Sequence, residues 1–250
     1  KISWNHHVSD KFQFSTSIEF AERNELFNNT AHSWREVDDR SYTPNAPVNA
    51  ELDNTSFDQH QAALFNISMT YQPNIKYSVK NGKREMIKDK APLLKLNYTK
   101  GLKDVAGSDV DFDRLEVGIQ HHLKLGAKGK LNYNLYAGTF LNSKKAYFMD
   151  YKHFLGNRTF LQTSDPVASF RLLDYYQLSS QQNYFGGHAY YQFRRFLFTR
   201  IWEVRMLGIK ENLIVNYLST GGKSQRNLPD GTSTFPLSTS NYMELGYSID

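Results

Sequence analysis

Apolar and polar residues alternate along several unusually long stretches of this chain, and a period of two is the signature of β-strands. In QAALFNISMTY, Ala63, Phe65, Ile67, Met69 and Tyr71 fall on one face, while Leu64, Asn66, Ser68 and Thr70 fall on the other. LEVGIQHHLKL sets Leu115, Val117, Ile119, His121, Leu123 and Leu125 opposite Glu116, Gly118, Gln120, His122 and Lys124. LNYNLYAGTFL repeats this with Leu131, Tyr133, Leu135, Ala137 and Leu141 against Asn132, Asn134 and Gly138, and FQFSTSIEF and MELGYSI follow suit. Each stretch is about the ~9–11 residues that a tilted strand needs to cross a bilayer.

The pattern predicts nine strands, over residues 2–8, 11–23, 61–72, 93–100, 111–125, 129–142, 183–195, 202–218 and 241–250, with almost no helix. In an up-and-down arrangement the turns SD, GAKGK and RFLFTR share one end with the link 73–92, which carries a KNGK hairpin signal. The long polar segments 24–60, 101–110, 143–182 and 219–240 share the other end. Short turns on one side and long loops on the other are the arrangement of an antiparallel up-and-down transmembrane β-barrel.

A soluble sandwich or lipocalin-like barrel would show the same alternation. It would not need strands as long as 111–125 and 129–142, nor aromatics at strand ends such as Tyr71, Tyr98, Tyr147, Phe148, Tyr217 and Tyr242. Open edges on a sheet of nine strands would present unpaired backbone groups to lipid. Residues 1–250 are therefore expected to be one incomplete barrel domain of a larger all-β barrel, with further strands and a periplasmic domain outside them.

Composition removes several other classes. Mean hydropathy is −0.60, and no run approaches the ~18–20 apolar residues of a spanning helix. Aromatics reach 14%, an excess over a soluble core that interfacial girdles would take up. Cysteine is absent, which excludes disulfides, thiolate nucleophiles and Cys-based zinc sites. The 30 basic residues are interleaved with 25 acidic ones, unlike a nucleic-acid stripe, so no nucleic-acid partner is expected. KISWNHHVSDKFQF opens as a strand without a leader or initiator Met, so Lys1 is not expected to be the natural start.

No catalytic constellation stands out. His121 and His122, like His6 and His7, are adjacent and point to opposite faces of a strand, so no metal site and no cofactor are expected. There is no G-x-S-x-G elbow, and a non-enzymatic protein is expected. N-x-[ST] triplets such as Asn157-Arg158-Thr159 are frequent by chance in an Asn-rich chain. Charges on the polar parity are more informative, since a Lys or Arg facing lipid near the midplane costs ~2–4 kcal/mol. Glu116, Lys124, Glu203, Arg205 and Glu244 are accordingly placed facing a lumen. The FLGNRTF stretch falls in loop 143–182, and its Gly156-Asn157-Arg158 turn either folds inward, with Arg158 pairing to lumen acids, or is an exposed surface turn.

The segments YKHFLGNRTF, FRLLDYYQLSS, YFGGHAYYQFRRFLFTRIWEVRMLGIKENLIVNY and NYMELGYSID, within residues 150–250, resemble the C-terminal barrel of a Bacteroidota-type outer-membrane family. Members carry an N-terminal carboxypeptidase-regulatory-like domain. That barrel is remotely similar to the barrel-assembly and two-partner-secretion superfamily of surface-antigen type, in which a loop Arg-Gly motif tucks into the lumen. The resemblance implies a barrel of about sixteen strands, within the range such barrels span. It also implies a lumen anchor at Gly156, Asn157 and Arg158, with Glu203, Glu244 or Glu116 as acidic partner. The order here, Gly156 before Arg158, reverses that of the superfamily. The expected role is assistance in the insertion, assembly or export of proteins at a bacterial outer membrane, with outer-membrane lipid and other outer-membrane or periplasmic proteins as partners. The alternatives are a small-solute channel or a structural subunit of a larger complex.

Overall fold

The computed structural model describes residues 1–24, 59–73, 76–87, 91–157, 165, 167–173, 178–221, 225–227, 234–236 and 241–249. Its strands run, in chain order, β1 (Ile2–Ser9), β2 (Phe12–Arg23), β3 (His60–Tyr71), β4 (Lys76–Lys80), β5 (Lys83–Ile87), β6 (Leu93–Gly101), β7 (Asp111–Lys124), β8 (Gly129–Lys145), β9 (Lys152–His153), β10 (Ser179–Ser180), β11 (Tyr184–Phe193), β12 (Glu211–Thr220), β13 (Gln225–Asn227), β14 (Thr234–Pro236) and β15 (Asn241–Ile249). Nine of them form one open sheet in the order β1-β2-β3-β6-β7-β8-β11-β12-β15, with every pair antiparallel. The remaining six form two-stranded ribbons within the connections. The fold is all-β, and β1 and β15 are its edges.

The registers fix which residues share a face. Opposite one another across the sheet lie Ser68, Asn97, Glu116, Gly138, Tyr184 and Thr220, so the predicted polar parity forms one continuous face. The other face carries Trp4, Ile18, Phe20, Val117, Leu135, Phe185, Leu213, Met243 and Leu245, all exposed. Burial is thus inverted relative to a soluble domain. Asn212, Asn216, His188 and Glu244 are buried on the polar face, while large apolar side chains stand bare on the opposite one.

The KNGK signal resolves as the β4–β5 ribbon, where Asn81 and Gly82 both take positive φ (50° and 74°), as a two-residue hairpin turn of primed type requires. The predicted strand 202–218 needs correcting: pairing begins only at Glu211, and Trp202–Met206 form a short helix, α1. Glu, Arg, Met and Leu favour a helical turn, which Gly208 ends with φ 77° and its amide on the Arg205 carbonyl at 3.0 Å. RFLFTR is consequently part of a longer connection, residues 194–210. Two residues predicted for an aromatic girdle serve the interior instead. Tyr242 lies on the polar face against Phe170, and Tyr147 stacks on His60 at 3.6 Å.

Candidate functional site

The connection between β8 and β11 crosses the polar face as a strap, and each portion of it is held by different chemistry. At its root a 3-10 turn, Phe148–Asp150, follows β8. The buried Asp150 carboxylate accepts from the Tyr147 amide at 3.1 Å and from Arg23 Nη2 at 2.9 Å. Arg114 Nη1 donates to the carbonyl oxygens of Asp150 (3.2 Å) and Tyr151 (3.5 Å). Arg23 also lies 3.3 Å from His60 Nε2. Multi-donor guanidinium groups suit this task, because one side chain can bridge a strand to several acceptors on the turn.

In the middle, Lys152 pairs with Glu116, which also accepts from the Tyr184 hydroxyl at 2.7 Å. The Lys152 ammonium sits 5.4 Å and 5.6 Å from the ring centroids of Tyr136 and Tyr184. Two cross-strand Tyr–Gly pairs make room for these rings. Tyr184 lies opposite Gly138 and Tyr136 opposite Gly186, where an added Cβ would sit 2.2 Å from the Tyr184 hydroxyl and 2.4 Å from Tyr136 Cζ. His153 on β9 is bonded through both ring nitrogens, Nδ1 to Ser179 Oγ at 2.7 Å and Nε2 to the Phe148 carbonyl at 2.8 Å. Burial, reinforced by Arg114, pushes its pKa down to about 4 against the opposing bond to Phe148, so the ring is neutral with the proton on Nε2.

At the far end Phe154, Phe170, Leu173 and Leu178 pack with Tyr184 and Leu218 into an apolar cluster. Burying each such side chain contributes about 1.5–3 kcal/mol. The polar complement is Glu244. Its carboxylate accepts from the amides of Arg171 (2.9 and 3.1 Å), Leu172 (2.7 Å) and Leu173 (3.2 Å), from Asn216 Nδ2 (2.8 Å) and from the Tyr242 hydroxyl (2.7 Å). Consecutive backbone amides converging on one anion form a nest. Within the strap, the Asn157 amide donates to Leu173 and the Phe170 amide to Leu155, at 2.7 and 2.8 Å.

Glu116 and Glu244, named from parity and charge, therefore both hold the strap. Gly156 and Asn157 are part of it, and Arg158 lies outside the described residues. Glu203 and Arg205 do not face the polar side: both sit exposed on α1, because their strand begins nine residues later than the alternation suggested. Sequence reasoning missed Arg23, Arg114, Asp150 and Lys152. The one available signal was the pair of strand glycines, Gly138 and Gly186, which mark close approach of a bulky neighbour. His121 and His122 do point to opposite faces, opposite Tyr133 and Asn132.

Two cavities flank the strap. One of about 240 Å³ lies beneath it among Asn97, Glu116, Asn134, Lys152, His153 and His188. The other, about 340 Å³, opens beside its root among Ser15, Ser17, Arg23, Asn66, Arg114 and Asp150. Among the described residues no group of three His, Cys, Asp or Glu side chains is placed to hold a metal ion. Anions and cations of the sheet hold the backbone and side chains of one loop.

No curated protein matches the chain. A family model matches residues 1–226, which covers eight of the nine strands of the main sheet together with the strap. The chain belongs to the family described as the C-terminal domain of a family of unknown function, DUF5686.

Proposed function

We propose that this chain is part of a transmembrane β-barrel in a bacterial outer membrane, with the polar face lining a lumen and the strap held across it. The observation that carries this reading is the inverted sheet, which exposes large apolar side chains on one face while Asn212, Asn216, His188 and Glu244 are buried on the other. Among spanning structures, β-strands satisfy their backbone groups in hydrocarbon only as a closed barrel. Strands from elsewhere in the protein would therefore pair with β1 and β15. No helix among the described residues is long and apolar enough to cross a membrane, a fact with no bearing on crossing by strands.

The barrel is non-enzymatic and assists the insertion, assembly or export of proteins, working with other outer-membrane or periplasmic proteins. A fixed internal strap favours this over a passive pore, since ion pairs and an apolar cluster hold it over β7, β8, β11, β12 and β15. A gated small-solute channel is the second reading, favoured by the polar cavity beside the strap root. Planar-bilayer conductance of the full-length protein separates the two. The assembly reading expects a closed or flickering wild type, with conductance steps appearing when Lys152→Met and Glu244→Gln release the strap. Large, steady conductance that both substitutions leave unchanged would assign a porin.

A further inference from the structure

The connection between β11 and β12 sits at the end of the sheet shared with the short turns, and it is neither short nor purely polar. Residues 194–210 expose Leu197, Phe198, Ile201, Trp202, Met206 and Leu207. The same segment exposes five cations, Arg194, Arg195, Arg200, Arg205 and Lys210, against one exposed acid, Glu203. Among the described residues none of these cations has an ion-pair partner.

The segment is rigidly mounted. The fully buried Glu211 carboxylate at the start of β12 accepts from the amides of Leu197 (3.1 Å), Phe198 (3.2 Å) and Thr199 (2.9 Å), from Thr199 Oγ1 and from the Tyr247 hydroxyl. It is also continuous with the apolar face of the sheet. Tyr191 and Phe193, on that face of β11, pack ring to ring at 4.6 Å, and Phe193 stacks on Phe196 at 4.2 Å. The aromatic column thus runs from the strand directly into the connection.

From these observations we infer that residues 194–210 are an interfacial anchor that seats its apolar side chains among anionic phospholipid headgroups at the short-turn side of the bilayer. The inference rests on the bilayer reading of the apolar face. Anionic phospholipid is the occupant because the element combines exposed aromatic and aliphatic groups with unpaired cations, the pairing that binds a negatively charged membrane surface. Continuity with the lipid-facing column places it at the level of the headgroups, where Trp and Arg side chains anchor.

The test uses the full-length protein in nanodiscs of phosphatidylcholine alone or with phosphatidylglycerol added. The chain has three Trp residues, at positions 4, 34 and 202, so replacing Trp4, Trp34 and every Trp of the full-length protein outside this chain with Phe leaves Trp202 as the reporter. The expected result is a blue-shifted Trp202 emission, quenched by lipid brominated near the headgroup and more strongly so with phosphatidylglycerol. Replacing Arg194, Arg195, Arg200 and Arg205 together with Gln should abolish the dependence on phosphatidylglycerol. A water-like Trp202 emission that brominated lipid leaves unquenched in both compositions would overturn the inference and assign the surface to solvent or a protein partner. A companion protein keeping only Trp4, which stands on the apolar face, separates the two failures. Trp4 quenched by deeply brominated lipid with Trp202 unquenched rejects the anchor alone, whereas Trp4 unquenched rejects the barrel reading and the anchor with it.

Discussion

Replacing Glu244 with Gln is the sharpest perturbation of the strap. Five donor groups converge on the two carboxylate oxygens: three consecutive amides, the Asn216 carboxamide and the Tyr242 hydroxyl. Gln keeps the size of the side chain but offers one acceptor oxygen, and its NH2 group would face donors. Of the groups it disappoints, the Leu172 amide belongs to an exposed residue and can turn to water, whereas Leu173 and Asn216 are fully buried. Leaving a buried donor unsatisfied costs about 1–3 kcal/mol. With one such donor left unsatisfied, the packed strap loses about 1–3 kcal/mol relative to a lifted one, and lifting becomes about 5- to 150-fold more frequent. Hydrogen exchange resolved at residues 171–173 reads this directly. The amides should exchange faster by that factor in the variant, while those of β7 and β8 keep their wild-type rates. Unchanged exchange at 171–173 would refute the reasoning and leave the apolar cluster around Phe154 and Phe170 as the holding element.

The neutral, buried His153 makes the strap sensitive to acid. Its folded pKa, about 4, lies below the ordinary 6.5, so the lifted strap binds the proton more readily. The contribution is complete above pH 6.5 and is lost as pH falls towards about 4, amounting to at most about 3 kcal/mol. Proteolysis of the strap should accelerate over that window and lose most of its pH dependence in His153→Gln, and equal slopes in the two proteins would reject the assignment. Gly186→Val drives a side chain into the space of the Tyr136 ring, which would lie 2.4 Å from the new Cβ. Such overpacking costs about 1–3 kcal/mol, so the thermal midpoint should fall, and a wild-type midpoint would show that the ring moves freely.

Much of the scaffold was legible because its signal is local. Alternation located all nine long strands to within a few residues, except at the start of β12, where Trp202, Val204 and Met206 happen to alternate with polar residues although the segment is a helical turn. Position in that wrongly extended strand carried Glu203 to the polar face, where it is not found. Glu116 and Glu244 were identifiable because an acid on the polar parity of a long strand must find donors. Which donors it finds is not a local property. Lys152 and the amides 171–173 reach these acids across a loop whose own sequence has no period, and FLGNRTF drew attention to Arg158 while neighbouring Phe154 does the packing.

By itself, then, the sequence determined the all-β class, the number of long strands, the parity of each and the Asn81-Gly82 hairpin, since pleat and turn geometry depend on neighbours two or three residues apart. Only the tertiary structure decided that the β8–β11 connection lies across the polar face and how it is fastened. The fastenings join residues far apart in the chain, Arg23 to Asp150 over 127 positions and Glu244 to Arg171 over 73. No pattern along the chain records such contacts, because they exist only once the registers of the sheet have brought those strands side by side.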